Sequence, residues 1–155
     1  MRLIKSTTPF FQTTVLGLGI LFSASCKTYH IPIDSFKEQF TITDSSQLKP
    51  VILGGSTLLY TQKYLTKNID YVDCIDKKGQ HHRLKMGPKL ETRLSYQKGD
   101  KTKRSYFYLD RVYVSKDSVT GYRSRFFGLP KSIPLQDLKQ VNIQNGHKNF
   151  YYLNP

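Results

Sequence analysis

From Ile69 to the C-terminus the chain is written in short runs of alternating apolar and polar residues, broken at close intervals by turn residues. A period of two sends successive side chains to opposite faces, so each run can bury one face only and several runs must pack together. Ile69 to Ile75 leads into the turn Asp76, Lys77, Lys78, Gly79. The return run places His82, Leu84 and Met86 on one face and His81, Arg83 and Lys85 on the other, and Gly87-Pro88 ends it. Thr92, Leu94 and Tyr96 alternate with Arg93, Ser95 and Gln97; Lys98-Gly99-Asp100 turns the chain, and Ser105 to Val114 brings back Tyr106, Tyr108, Val112 and Val114. Asp117 to Gly121 reads as another turn or short strand, and Ile133-Pro134-Leu135 as an edge strand, because Pro134 donates no hydrogen bond. Asn145-Gly146 is the preferred two-residue type I′ turn, which would set Ile143 against Lys148 and Val141 against Phe150. These signals predict a mainly β, antiparallel unit, a small barrel or sandwich. The expected core is Ile75, Leu84, Leu94, Tyr108, Val112, Val114, Val141, Ile143 and Phe150.

The N-terminus has a different character. Arg2 and Lys5 precede the run Val15 to Phe22, which is wholly apolar or glycine, and Ser23, Ala24, Ser25 and Cys26 follow. A bilayer span needs about 20 apolar residues, so this run is too short, and it reads as the core of a signal peptide. Small residues directly before a cysteine resemble the lipobox of bacterial lipoproteins. In that family the thiol is acylated, with palmitate expected here, the signal is cut away before the cysteine, and the new amine can be acylated too. The commonest lipobox carries leucine where this chain has Ser23; looser boxes occur in some Gram-negative groups. An ordinary secretory signal cut near Ala24, or an uncleaved anchor, are the other readings. The resemblance implies lipidation at Cys26 and a membrane anchor. With Lys27 rather than an acid after the cysteine, it implies the outer membrane, facing the periplasm.

Residues 1–25 are thus expected to be signal, 26–49 a lipidated cysteine and linker, and 50–155 the β-rich domain. Lys27 to Lys49 is mostly polar, with Ser35 and Glu38 at the spacing of a capping box, so a single helical turn near Phe36 is the alternative to a tether. Residues 56–66 fit either a short helix or a strand carrying Tyr60, Gln62 and Tyr64 on one face. The stretches DRVYV at 110–114, DSVTG at 117–121, IPLQDL at 133–138 and VNIQ at 141–144 are similar to a pattern in small bacterial lipoproteins with barrel-like domains. That resemblance implies a fold style, Sm-like or SH3-like by analogy, and no activity.

Net charge is +13, with 24 Lys and Arg against 11 Asp and Glu. The excess is local: residues 81–155 hold 15 basic and 5 acidic side chains, residues 27–80 hold 7 and 6. Such a field attracts anions. In an envelope compartment these are lipid headgroups, lipopolysaccharide phosphates and acidic proteins; nucleic acid is not an expected partner there. Arg83, Lys85 and Lys89 form one cluster, Lys98, Lys101, Lys103 and Arg104 a second, Arg123 and Arg125 beside Tyr122 a third. The candidate contacts to an anionic surface are Arg83, Lys85, Lys103, Arg104, Arg123 and Arg125. The bland reading is that these are the solvated faces of a small β domain, but a face built only for solubility usually mixes both signs.

Catalytic and metal motifs are scarce. His81 and His82 point to opposite faces of a strand and cannot chelate one ion together; no Cys-x-x-Cys or His-Glu-x-x-His is present, and no metal or cofactor is expected. With Cys26 lipidated, Cys74 has no disulfide partner and reads as a small buried residue. The expectation is a membrane-anchored binding or scaffolding module for an anionic or protein partner. The alternative is an envelope enzyme of thiol-hydrolase type, pairing Cys74 with His81 or His82 across a hairpin. An exposed, acidified thiol would favour the enzyme, a buried one the binding module.

Overall fold

The computed structural model describes residues 27–55, 61–146 and 148–154. Residues 1–25, expected to be a signal peptide, and Cys26 lie outside the described residues. In chain order the elements are β1 (Thr28–Ile31), α1 (Ile33–Phe40), β2 (Leu48–Gly55), β3 (Gln62–Lys67), β4 (Tyr71–Ile75), β5 (His81–Lys85) and β6 (Leu90–Lys98). Then follow β7 (Lys101–Tyr108), β8 (Val112–Val114), β9 (Ser118–Tyr122), β10 (Pro130–Pro134), β11 (Leu138–Asn145) and β12 (Phe150–Tyr152). The protein is mainly β, and among the described residues every strand pair is antiparallel. A six-stranded sheet runs β5-β4-β1-β11-β6-β7, with three-stranded sheets β10-β9-β8 and β12-β2-β3 against it. The arrangement is sandwich-like, with no closed barrel among the described residues.

The local turn chemistry works as the sequence suggests. Asp76 accepts through Oδ1 from the backbone N–H of Lys78 and Gln80, and Gly79 takes φ +80°, which closes β4 onto β5. Gly99 at φ +59° closes β6 onto β7. On β5, His82 and Leu84 turn inward and His81, Arg83 and Lys85 outward. Residues 62–67, read either way from sequence, are strand; residues 56–60 lie outside the described residues.

Two expectations are corrected. Residues 28–40 are no tether: β1 lies in the middle of the large sheet between β4 and β11, and α1 drives Phe36 and Phe40 into the core with no exposure. Ile33, Phe36 and Phe40 fall on one helical face, and their rings and branches outweigh the polar residues around them. The capping box is not formed, since the helix begins two residues earlier and Ser35 Oγ accepts instead from Gln39 Nε2. The second correction concerns Asn145-Gly146. Both edges of β11 are already occupied, by β1 and β6, so the following strand cannot fold back on it. β12 pairs with β2 instead, and the Gly146 N–H donates to Lys89 O.

The main core joins the inner face of the large sheet (Ile31, Val72, Leu94, Val141, Ile143) to α1 and to Val112, Val114, Val119 and Ile133 of the β8–β10 sheet. The smaller sheet closes over a second cluster of Leu53, Tyr108 and Phe150. Of the expected core, Leu94, Tyr108, Val112, Val114, Val141, Ile143 and Phe150 are buried, while Ile75 and Leu84 are half-buried near the β5 edge. Gly121 is forced by close approach: a Cβ there would overlap the Phe107 ring.

Candidate anion-facing cleft and its buried support

β6 and β7 run on past the core as a hairpin whose residues 101–104 are all exposed. Registered pairs Tyr96–Lys103 and Lys98–Lys101 place these four side chains on one face, because opposed residues of an antiparallel pair point the same way. β10 arrives beside them. Lys131 Nζ donates to Tyr96 Oη at 2.7 Å and to Ser105 Oγ at 2.8 Å, and lies 5.0 Å from the centre of the Tyr96 ring. The result is a cleft of about 300 Å³ whose polar lining includes Lys98, Lys103, Lys131, Ser132 and Asp137.

The electrostatics of this cleft are unbalanced. Among the described residues no carboxylate lies within ion-pair distance of Lys98, Lys101, Lys103 or Lys131. An ammonium has three protons to donate, and Lys131 spends two on neutral hydroxyls. Its bond to Tyr96, followed by that from Ser105, holds the Tyr96 phenol below its ordinary pKa. Convergent cationic donors around a half-enclosed space suit an anionic oxygen group, such as a phosphate or carboxylate.

The candidate contacts from sequence divide around this cleft. Lys103 lies in it, and Arg104 is exposed on the opposite face of the same strand. Arg83 and Lys85 are exposed on β5, the other edge strand of the large sheet, so they do not join Lys103 and Arg104 on one strand edge. Arg83 is also engaged, with Nε 3.4 Å from Asp73 and its guanidinium 5.1 Å from the Tyr71 ring centre. Arg123 is exposed on the loop after β9. Lys131, which completes the cleft, carried no sequence signal, since only the packing of β10 against the β6–β7 hairpin brings it there.

Arg125 is a correction. It is no surface contact: its side chain and that of Asp110 both have 0% exposure. The guanidinium forks onto the carboxylate, with two N–H···O bonds of 2.8 Å, and gives a third of 2.7 Å to Pro88 O. Tyr64 and Tyr152 hydroxyls also donate to Asp110 Oδ2. The guanidinium plane stacks 4.0 Å from the Tyr108 ring centre and 5.4 Å from that of Phe150. Burial of a charge pair is offset by hydrogen bonds to its lone pairs and protons: four donors fill the Asp110 carboxylate, while the Arg125 Nε–H is left without a partner. Burial and the adjacent Asp110 raise both the Tyr64 and Tyr152 phenols above their ordinary pKa, so they stay donors. Arg111 follows the same style, its guanidinium 4.0 Å from the Tyr122 ring centre and 5.0 Å from that of Tyr64. This knot ties β3, β7, β12, the 86–89 segment and the loop after β9 together.

No known protein family, curated protein or solved structure matches this chain. What it does must therefore be read from its own residues. The thiol site offers little chemistry. Cys74 is 2% exposed, its Sγ lies 3.6 Å from the backbone oxygen of His82, and burial pushes the thiol up to about 11. The His82 ring turns to Asp76, 3.0 Å away, while His81 faces solvent. A thiol held protonated, with no imidazole directed at it, is not an activated nucleophile. Among the described residues no group of three His, Cys, Asp or Glu could hold a metal ion, and no helix is long and apolar enough to cross a membrane.

Proposed function

We propose that this chain is an envelope lipoprotein, anchored through Cys26 to the periplasm-facing leaflet of the outer membrane, whose β domain binds an anionic partner. The observation that carries the binding half is the cleft at the base of the β6–β7 hairpin, where Lys98, Lys103 and Lys131 meet without a carboxylate pairing any of them. The lipobox-like residues before Cys26 carry the anchor half. One acyl chain holds a protein only marginally and two make attachment stable, and the lipoprotein pathway supplies more than one.

The test uses full-length protein extracted from membranes and lipopolysaccharide or phosphatidylglycerol vesicles as the anionic probes. Each basic residue near an anionic surface contributes on the order of 1 kcal/mol, so Lys98→Glu with Lys103→Glu is expected to weaken binding at least about tenfold. Salt should weaken it too, since exposed charges are screened over about 8 Å at physiological strength. Binding indifferent to both would overturn the anionic reading. Fractionation of Cys26→Ala tests the anchor separately: equal membrane association of variant and wild type would remove it.

A further inference from the structure

The loop between β9 and β10 reads Arg123, Ser124, Arg125, Phe126, Phe127, Gly128, Leu129. It is built to be rigid and yet to expose its apolar part. Arg125 is sunk into the Asp110 knot, and Ser124 Oγ accepts from the backbone N–H of both Phe126 and Phe127 at 3.1 Å. The Leu129 N–H donates to Phe127 O at 2.7 Å. On this frame Phe126 is 48% exposed, Phe127 67% and Leu129 59%. Three large apolar side chains in four residues, turned to water from a pinned loop, form no part of either hydrophobic cluster.

Charge says what covers them. No acidic residue occurs between Asp117 and Asp137, while Arg123 and Lys131 flank the apolar tip. Place says the same. Thr28, Gln144, Glu91 and Tyr108 are successive register partners across β1, β11, β6 and β7. Three strand spacings, about 14 Å, therefore separate the point where the chain enters the sheet from the ring on which Arg125 stacks. Lys27 precedes that entry point, and Lys148 Nζ lies 2.6 Å from Tyr108 Oη and 3.6 Å from Glu91 Oε1. Aromatic and aliphatic side chains flanked by Arg123 and Lys131, near the point where an N-terminal anchor would join, match a lipid surface with anionic headgroups.

We infer that Phe126, Phe127 and Leu129 insert into the interface of an anionic lipid leaflet and fix the orientation of the domain on the membrane that holds it. The inference rests on the lipoprotein reading for the identity of that membrane. The chain contains no tryptophan, so Phe127→Trp gives a single indole reporter in the full-length protein. Reconstituted in vesicles of phosphatidylethanolamine and phosphatidylglycerol with brominated acyl chains, this indole should shift to the blue. It should also be quenched about threefold more than that of Tyr106→Trp, placed on the exposed outer side of β7. Replacing phosphatidylglycerol by phosphatidylcholine should reduce the effect. Equal quenching at the two positions in membrane-bound protein overturns the inference and leaves the Cys26 anchor standing. A blue shift already present before lipid is added means that the loop is covered within the protein, by its own domain or by a second copy, and overturns it as well. Loss of the anchor alone shows as equal fractionation of Cys26→Ala and wild type, whatever the indole reports.

Discussion

Asp110 receives two guanidinium bonds and two phenol bonds without any contact with water. Its replacement by asparagine removes the charge and keeps the shape, which leaves the Arg125 cation buried and uncompensated. Breaking a buried pair from one side typically costs about 3–5 kcal/mol, so Asp110→Asn should lower the unfolding free energy by that amount and the urea midpoint by that loss divided by the denaturant slope m. Asp110→Leu together with Arg125→Met should recover part of it, because the desolvation cost disappears with both charges while the Tyr64 and Tyr152 hydroxyls and Pro88 O lose their partners. Urea denaturation of the three proteins, followed by far-ultraviolet dichroism, measures this. Arg125 shows why the site was only partly legible in sequence. Arg123 and Arg125 look equivalent two residues apart, and nothing local marks one as buried. Its partners are Asp110, Tyr64 and Pro88, all distant in sequence, and Tyr152 joins the knot through Asp110. Lys103, in contrast, was recognisable because its exposure follows from the turn beside it.

Elements whose signals are local were readable. The β4–β5 and β6–β7 hairpins carry their own turn chemistry, an aspartate that satisfies two N–H groups and glycines at positive φ. Elements whose pairing depends on a vacancy elsewhere were not. The β11–β12 hairpin fails because both edges of β11 are taken, a fact no window of sequence contains. α1 was hidden for another reason. Its apolar residues are few, but Phe36 and Phe40 lie one turn apart, with ring centres 5.0 Å from each other, inside the main core. Phe36→Ala should therefore cost about 3–5 kcal/mol, the usual loss for a fully buried aromatic side chain. Thermal unfolding of the full chain checks it. A loss near zero would mean that α1 hangs on the surface as the tether reading supposed.

The whole molecule holds several weak acids in their neutral form. Burial, and then the Asp73 charge, push the Cys74 thiol up from 9.0 to about 11, and burial pushes Tyr113 up to about 12. The unfolded chain ionises these groups first. Their contribution to stability is complete below about pH 9 and is lost as pH rises through the folded values. Melting temperature should thus hold steady on the alkaline side up to pH 9 and then fall. Cys74→Ala should fall less steeply than wild type between pH 9 and 11; parallel curves would show that the thiol titrates freely in the fold. At this scale the sequence was most informative. Alternation and turns predicted a mainly β antiparallel domain, and the three sheets bear that out. The division into sheets was out of reach, because it is decided by which strand edges remain open.

The position of β1 has a consequence for the order of events in folding. The first strand of the domain occupies the middle of the large sheet, and its Ile31 is paired with Val141, more than a hundred residues later. A chain released N-terminus first keeps β1 without its β11 neighbour until almost the entire domain has emerged. Closing so long a loop is slow, and an unpaired central strand is a template for wrong pairings in the interval. Completion of the large sheet is therefore expected to wait for the last segments rather than to grow from the first.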